Sequence, residues 1–382
     1  MRMDEAGASV PSNEVHIIRE DDVPVNRRFL LVMTAALTAV AGPVAAAGLK
    51  QVGMIGVPGA AVEAVGAAFV DQAAGRLYLA DKDNKAIDIF DTKTETFLTR
   101  VTGFVGLTKS GATSGPNGVM TLHDGTEAWA GDGDSTIKVI DLAAGKIVAS
   151  IATGGKNRIG ELAEDPREAI VIAANPDDEP PFLTLISSKP DHKILAKIAF
   201  AQASAAIERS AFFAPSGHFF SVVPAIDKDK TIGGLAEIDA ATASLVALHA
   251  IPGCNPHSLS LGPGSLLFLG CSPGDTRTRS EGTMVIFDAA TGAVTDALPG
   301  LGGSGETAYN AKLGLYYAAA GNIPGGPAIK VIDPRMRTLV QRIQASDGAH
   351  SLALSLGNNH VYLPTTAKSG PCGGCILVYA PE

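Results

Sequence analysis

The chain has 382 residues and a net charge of −9, with 46% hydrophobic and 18% charged residues. Its 43 glycines and 23 prolines mark a globular, turn-rich protein. No basic run is present, which argues against nucleic acid or an anionic membrane surface as a partner.

Residues 1–47 read as a leader rather than as part of a fold. Arg27-Arg28 precede an apolar run over 29–40, followed by Gly42-Pro43 and Ala45-Ala46-Ala47. A positive region, a short apolar region and small residues predict a signal peptide cleaved after Ala47. The apolar run is too short to span a bilayer comfortably. Asn26-Arg27-Arg28-Phe29-Leu30-Leu31 also resembles a twin-arginine export signal, so both this route and ordinary Sec export stay open. The expected mature protein is a single domain over 48–382, periplasmic or secreted and monomeric, with no membrane span.

The next strands announce a repeat. In 117–151, four short apolar segments (117–122, 127–130, 136–140 and 146–151) are separated by turn residues such as His123-Asp-Gly-Thr126 and Gly131-Asp-Gly-Asp134. The third segment ends in Val139-Ile140-Asp141, whose Asp suits an Asx turn, and Gly145 supplies a residue tolerant of positive φ. Equivalent strand ends recur at Asp91, Ser187, Asp239, Asp288, Asp333 and Ala380, at steps of 45 to 52 residues. Segments such as 77–80, 169–173, 266–269 and 315–318 are apolar on both faces, as buried mid-sheet strands are.

Seven such units without helical periodicity predict an all-β, seven-bladed β-propeller with four-stranded blades. The last unit has strands near 350–354, 360–363 and 375–380 but lacks a fourth. The strand at 48–57 has no unit of its own, so it is expected to close the last blade and remove an open sheet edge.

Cys254, Cys271, Cys372 and Cys375 allow three pairings. An even count in an exported chain suggests disulfides. Cys254 precedes one strand and Cys271 ends the next, favouring Cys254–Cys271 as a cross-strand staple and leaving Cys372–Cys375. The latter CxxC reads as a structural loop rather than a redox motif, because no βαβ pattern surrounds it.

The segment 135–151, Ser-Thr-Ile-Lys-Val-Ile-Asp followed by a Gly-containing turn and a second strand, resembles the YVTN-type propeller repeat. The 348–354 and 374–380 segments look like the closing blade of exported bacterial members. The stretch from Cys254-Asn-Pro-His257 to Cys271 is also similar. More distantly, the chain resembles gluconolactonase-like propellers, which implies a metal at the mouth of the central channel.

A propeller places the start of each innermost strand at that mouth. Blade by blade, the position reads Gly66, Asn117, Glu161, Glu208, His257, Glu306 and His350. Three Glu and two His around one axis repel, or share protons, unless something positive lies among them. A divalent metal held by Glu161, Glu208, His257, Glu306 and His350 would supply that charge. The mixed donors favour zinc, manganese or iron over calcium. Glu161, Glu208 and Glu306 are then candidate catalytic groups, with Asn117, Arg158 and Arg209 as ligand-binding residues, the two arginines expected to hold an anionic substrate bidentately. The alternative is a wet channel lining, in which Glu161 pairs with Arg158 and Glu208 with its neighbour Arg209 or another base.

Other motifs carry less. Asp132-Gly-Asp134 and Asp81-Lys-Asp-Asn84 lack the Glu of an EF-hand and read as turn acids. Trp129 reads as core, and His192, His218 and His360 as surface residues beside turns. No nucleophile elbow or phosphate loop is present. Two functions compete: an exported module that binds a small molecule or a protein partner, and a metal-dependent, lactonase-like hydrolase or lyase.

Overall fold

A computed structural model describes residues 48–203, 207–227, 229, 231–272, 281–303, 305–321, 323–346, 350–368 and 371–382. The leader expected over 1–47 lies outside the described residues. The rest is built from seven four-stranded antiparallel sheets. The chain is a seven-bladed β-propeller.

Blade one comprises β2 (Val65–Asp71), β3 (Arg76–Asp81), β4 (Ala86–Asp91) and β5 (Thr96–Thr102), paired in chain order. The next five blades repeat this order. They start with β6 (Val119–Leu122), β10 (Leu162–Asp165), β14 (Ser210–Phe213), β18 (Asn255–Leu261) and β22 (Thr307–Asn310). The seventh contains β26 (Ala353–Leu354), β27 (Val361–Thr365) and β28 (Cys375–Pro381). Its outermost strand is β1 (Leu49–Gly56), which pairs antiparallel with β28 from Leu49–Pro381 to Gly56–Cys375. The strand expected to complete the last blade therefore sits in it.

Position within the blade explains the hydrophobic patterns. Second and third strands face neighbouring sheets on both sides. Thus β11 (Ile170–Asn175) and β23 (Leu315–Ala320) are buried along their whole length. Outer strands face solvent on one side and alternate, as in β9 (Lys146–Ala152). Trp129 is fully buried and packs with Ile137, Val139, Val171 and Ile186 between blades two and three. His192 lies edge-on to Trp129, while His218 and His360 pair with Glu237 and Glu95, so these three histidines are partly covered rather than free on the surface.

The hairpin between the third and fourth strands repeats from blade to blade. Register shifts occur near its base in each of the first six blades, for example between Val139 and Ile140 and between Ile286 and Phe287. The strand-ending Asp side chain accepts backbone N–H groups of the turn: Asp91 from Lys93 and Thr94, Asp239 from Ala241 and Thr242, and Asp333 from Arg335 and Met336. These bonds hold the carboxyls of Asp91, Asp239, Asp288 and Asp333 below their ordinary pKa. The backbone turn dominates at Asp91 and Asp239, Ser265 at Asp288, and bonds to Arg335 and the turn outweigh burial at Asp333. Gly145 and Gly292 have positive φ, as expected.

Both expected cysteine pairs are disulfides. Cys254–Cys271 spans a Cα–Cα distance of 5.1 Å between the first two strands of blade five, and Cys372–Cys375 spans 5.8 Å beside β28. Among the described residues, no helix is long and apolar enough to cross a membrane.

Candidate functional site

The seven positions picked from the sequence, from Gly66 to His350, all line one cavity of about 600 Å³ at one end of the central channel. Arg158 and Arg209 line it too. Sequence reasoning put these residues at the first position of each inner strand. The structure shows a less regular edge: Glu161 and Glu306 immediately precede β10 and β22, while His257 lies inside β18. The irregularity arises because this backbone bonds to the next blade as well as to its own. Ala67 N–H donates to the Asn117 carbonyl, Gly118 N–H to the Gly160 carbonyl, and Glu306 N–H to the His350 carbonyl.

Gly66, the position without a side chain, follows from the same contact. A Cβ there would lie 2.4 Å from the Asn117 carbonyl oxygen. Blades one and two approach too closely for any larger residue, so the position is a packing requirement rather than an opening.

Charge at the centre is organised by Arg209. Its guanidinium lies 3.2 Å from Glu161 Oε1 and 3.0 Å from Glu306 Oε1, joining blades three, four and six across the channel. Burial opposes the Arg209 charge, but Glu161 and Glu306 outweigh it and hold its pKa above the ordinary value. Glu306 is 3% exposed, and its Oε2 accepts the Ser351 hydroxyl at 2.6 Å and the Leu352 N–H at 2.8 Å. Burial nevertheless pushes Glu306 up to about 7 against the pull of Arg209.

Of the remaining pairs, Arg158 departs from the sequence alternative, and Glu208 takes a base other than its neighbour Arg209. Arg158 Nε donates to Asp177 at 2.6 Å, not to Glu161. Glu208 lies 3.3 Å from His257 Nδ1, not against Arg209. The other ring nitrogen of His257 faces Asn255 Oδ1 at 2.5 Å, and Asn255 Nδ2 donates to the Pro224 carbonyl.

The expected metal ligands do not form a donor set as placed. Among the described residues no three His, Cys, Asp or Glu converge as a metal requires. Both nitrogens of His257 are engaged, and Glu161 and Glu306 share a guanidinium. Arg209 supplies the central positive charge for which a metal was invoked.

Glu161, Arg209 and Glu306 also border a second cavity of about 420 Å³ further along the channel. Its other lining includes Val70, Val119, Met120, Leu162, Leu352, Leu354 and Tyr309. The ion triad therefore lies between a charged mouth and a mainly apolar inner segment.

Two residues at the mouth escaped the sequence reading. Lys82 follows β3, and Asp177 follows β11. In each blade the loop after the second strand returns to the end where the first strand starts. That topology was the available signal; 81–84 instead read as a turn, which it also is, since Asp81 accepts the Asn84 N–H.

No family model and no curated protein sequence matches the chain. Solved structures match it in shape. A chain of a mitotic checkpoint complex superposes with a TM-score of 0.62 at 12% identity, covering 93% of this chain and 99% of that one. A chain of Kuenenia stuttgartiensis hydrazine synthase superposes with a TM-score of 0.66 at 12% identity, covering 84% and 98%. At such identity the likeness is one of fold. Neither the YVTN-type nor the gluconolactonase-like resemblance gains a sequence match.

Proposed function

We propose that the protein is an exported binding module that takes a small polar ligand at the charged mouth of its channel. The observation that carries this reading is the convergence of Asn117, Glu161, Glu208, His257, Glu306 and His350, from six blades, on one concavity floored by the Arg209 triad. Two disulfides support export, together with the leader pattern over 1–47. Catalysis by a bound metal is not adopted, because the ring's acids and His257 already have partners within the protein.

The test is a ligand-observed NMR screen of neutral, anionic and cationic fragments against the mature protein, repeated on His257→Gln. The reading expects hits that compete with one another and weaken in the variant. Hits that are indifferent to His257→Gln, or none at all, would overturn it.

A further inference from the structure

Every described carboxylate lining the mouth has a side-chain partner in contact. Asp177 takes Arg158, Glu161 and Glu306 share Arg209, and Glu208 faces His257. Lys82 is different. It lines the same cavity, yet its ammonium makes no hydrogen bond and no ion pair among the described residues.

The acids nearest to it in sequence are committed elsewhere. Asp83 accepts the backbone N–H groups of Glu63 and Ala64 at 2.7 and 2.8 Å. Asp81 accepts from Asn84 and faces Arg100. The Lys82 backbone is fixed at the same time: its N–H donates to the Ala64 carbonyl, and its carbonyl accepts from Lys85 and Leu107. The side chain is thus carried on a pinned loop, into a cavity where Arg158 is the neighbouring cation.

Of the three cations lining the cavity, Arg158 and Arg209 each contact an acid, while Asp83 and Asp177 act on Lys82 only without contact, so its ammonium is the one free to meet an incoming anion. We infer that the mouth is an anion site, in which Lys82, backed by Arg158, receives a carboxylate or phosphate group of a small ligand. This rests on the reading of the mouth as a ligand site and names the class of ligand.

Titration follows from that placement. Burial first, then the Arg158 charge, push Lys82 down to about 8, against the opposing pull of Asp83 and Asp177. Glu161, Asp177, Glu208, Arg209, His257, Glu306 and His350 are the other titratable groups lining the cavity. A bound anion restores the balance and raises the Lys82 pKa. Affinity for anions therefore falls as pH rises through about 8.

The experiment uses the mature protein with lysines reductively dimethylated by ¹³C-formaldehyde and a borane reductant, which keeps their charge. The Lys82 resonance is assigned by its loss in Lys82→Met. Inorganic phosphate and succinate are titrated at pH 7 and pH 9.5, with glucitol as the neutral probe and the histidine imidazole signals as a second reporter of the mouth. Phosphate, succinate or both should shift the Lys82 signal and raise its pKa, and should bind more tightly at pH 7. The responding anion identifies which group the site takes. Lys82→Met should weaken binding on the order of tenfold to a hundredfold, the range for one hydrogen-bonded charge. Arg158→Gln should raise the pKa of free Lys82 while weakening the anion.

Anion binding unchanged in Lys82→Met, or binding that leaves the Lys82 signal still, would overturn the inference. Glucitol moving the imidazole signals while neither anion does would overturn it too, but leave the mouth a ligand site. Silence from all three probes would sink both readings.

Discussion

The two ends of a blade follow different rules. At the outer hairpin each of the first six blades repeats a register shift, and in five of them an Asp closes a tight turn; blade three, with Ser187, has a longer loop. At the channel end the seven positions hold Gly, Asn, Glu, Glu, His, Glu and His: Glu161 and Glu306 converge on one Arg209, Glu208 faces His257, and Asn117 donates to backbone carbonyls. The outer hairpin solves a problem every blade has, namely turning a twisted strand back on itself. The channel end meets its counterparts from other blades, so its solution belongs to the ring and not to the blade.

That contrast can be broken most severely at the centre. Arg209→Met leaves Glu306 buried without its guanidinium, at an expected cost of about 3–5 kcal/mol in urea denaturation. Adding Glu306→Gln should restore much of the loss. Additive losses in the double variant would show that the triad is not a coupled unit.

The disulfides come next. Replacing Cys254 and Cys271 by Ser opens a loop with a sequence separation of 17. It should cost about 3 kcal/mol, against about 2 kcal/mol for the short Cys372–Cys375 loop. Equal losses from the two pairs would argue against loop length as the governing factor.

Glycine gives a matched pair. Gly66→Ala drives a Cβ into the Asn117 backbone and should cost about 1–3 kcal/mol. Gly145→Ala meets open space at a φ of 61°, and should cost about 1 kcal/mol or less. Glu95, Ala243 and Arg337 already hold positive φ at the same hairpin position in other blades. Equal thermal shifts for the two variants would erase the distinction between ring contact and hairpin.

The smallest effect is one of sign. Glu306 is held above its ordinary pKa of 4.5, so the folded protein keeps a proton that the unfolded chain releases. Its contribution is complete below about pH 4.5 and is lost as pH rises through about 7. Asp91, Asp239, Asp288 and Asp333 are held below 3.8; their contribution is present above that value and is lost as pH falls further. Melting temperatures across pH should show Glu306→Gln flattening the decline between 4.5 and 7, and Asp239→Asn flattening the acid limb. A Glu306→Gln curve parallel to wild type would show that Glu306 titrates normally.

The same contrast decides what could be read from residues alone. Strand ends at Asp91, Asp141, Ser187, Asp239, Asp288 and Asp333 are where the sequence pattern placed them, because one repeated turn leaves one repeated signature. The mouth positions were also legible, since the repeat carries their spacing. Their partners were not. Glu161 meets Arg209 from the next blade and shares it with Glu306 from two blades further on, a pairing that no local spacing encodes. With Arg209 unplaced, a metal was the natural source of positive charge. Lys82 was hidden because its importance lies in what its neighbours already hold.

The pairing of β1 with β28 has a consequence for biogenesis. The seventh sheet draws its strands from opposite extremes of the described chain, so it forms only after the strands of the other six blades have been made. Until then β1 has no partner, and the growing ring is an open fan with a bare edge at each side. Closure is thus a late, long-range event, and the emerging chain needs protection from pairing its edges with another copy.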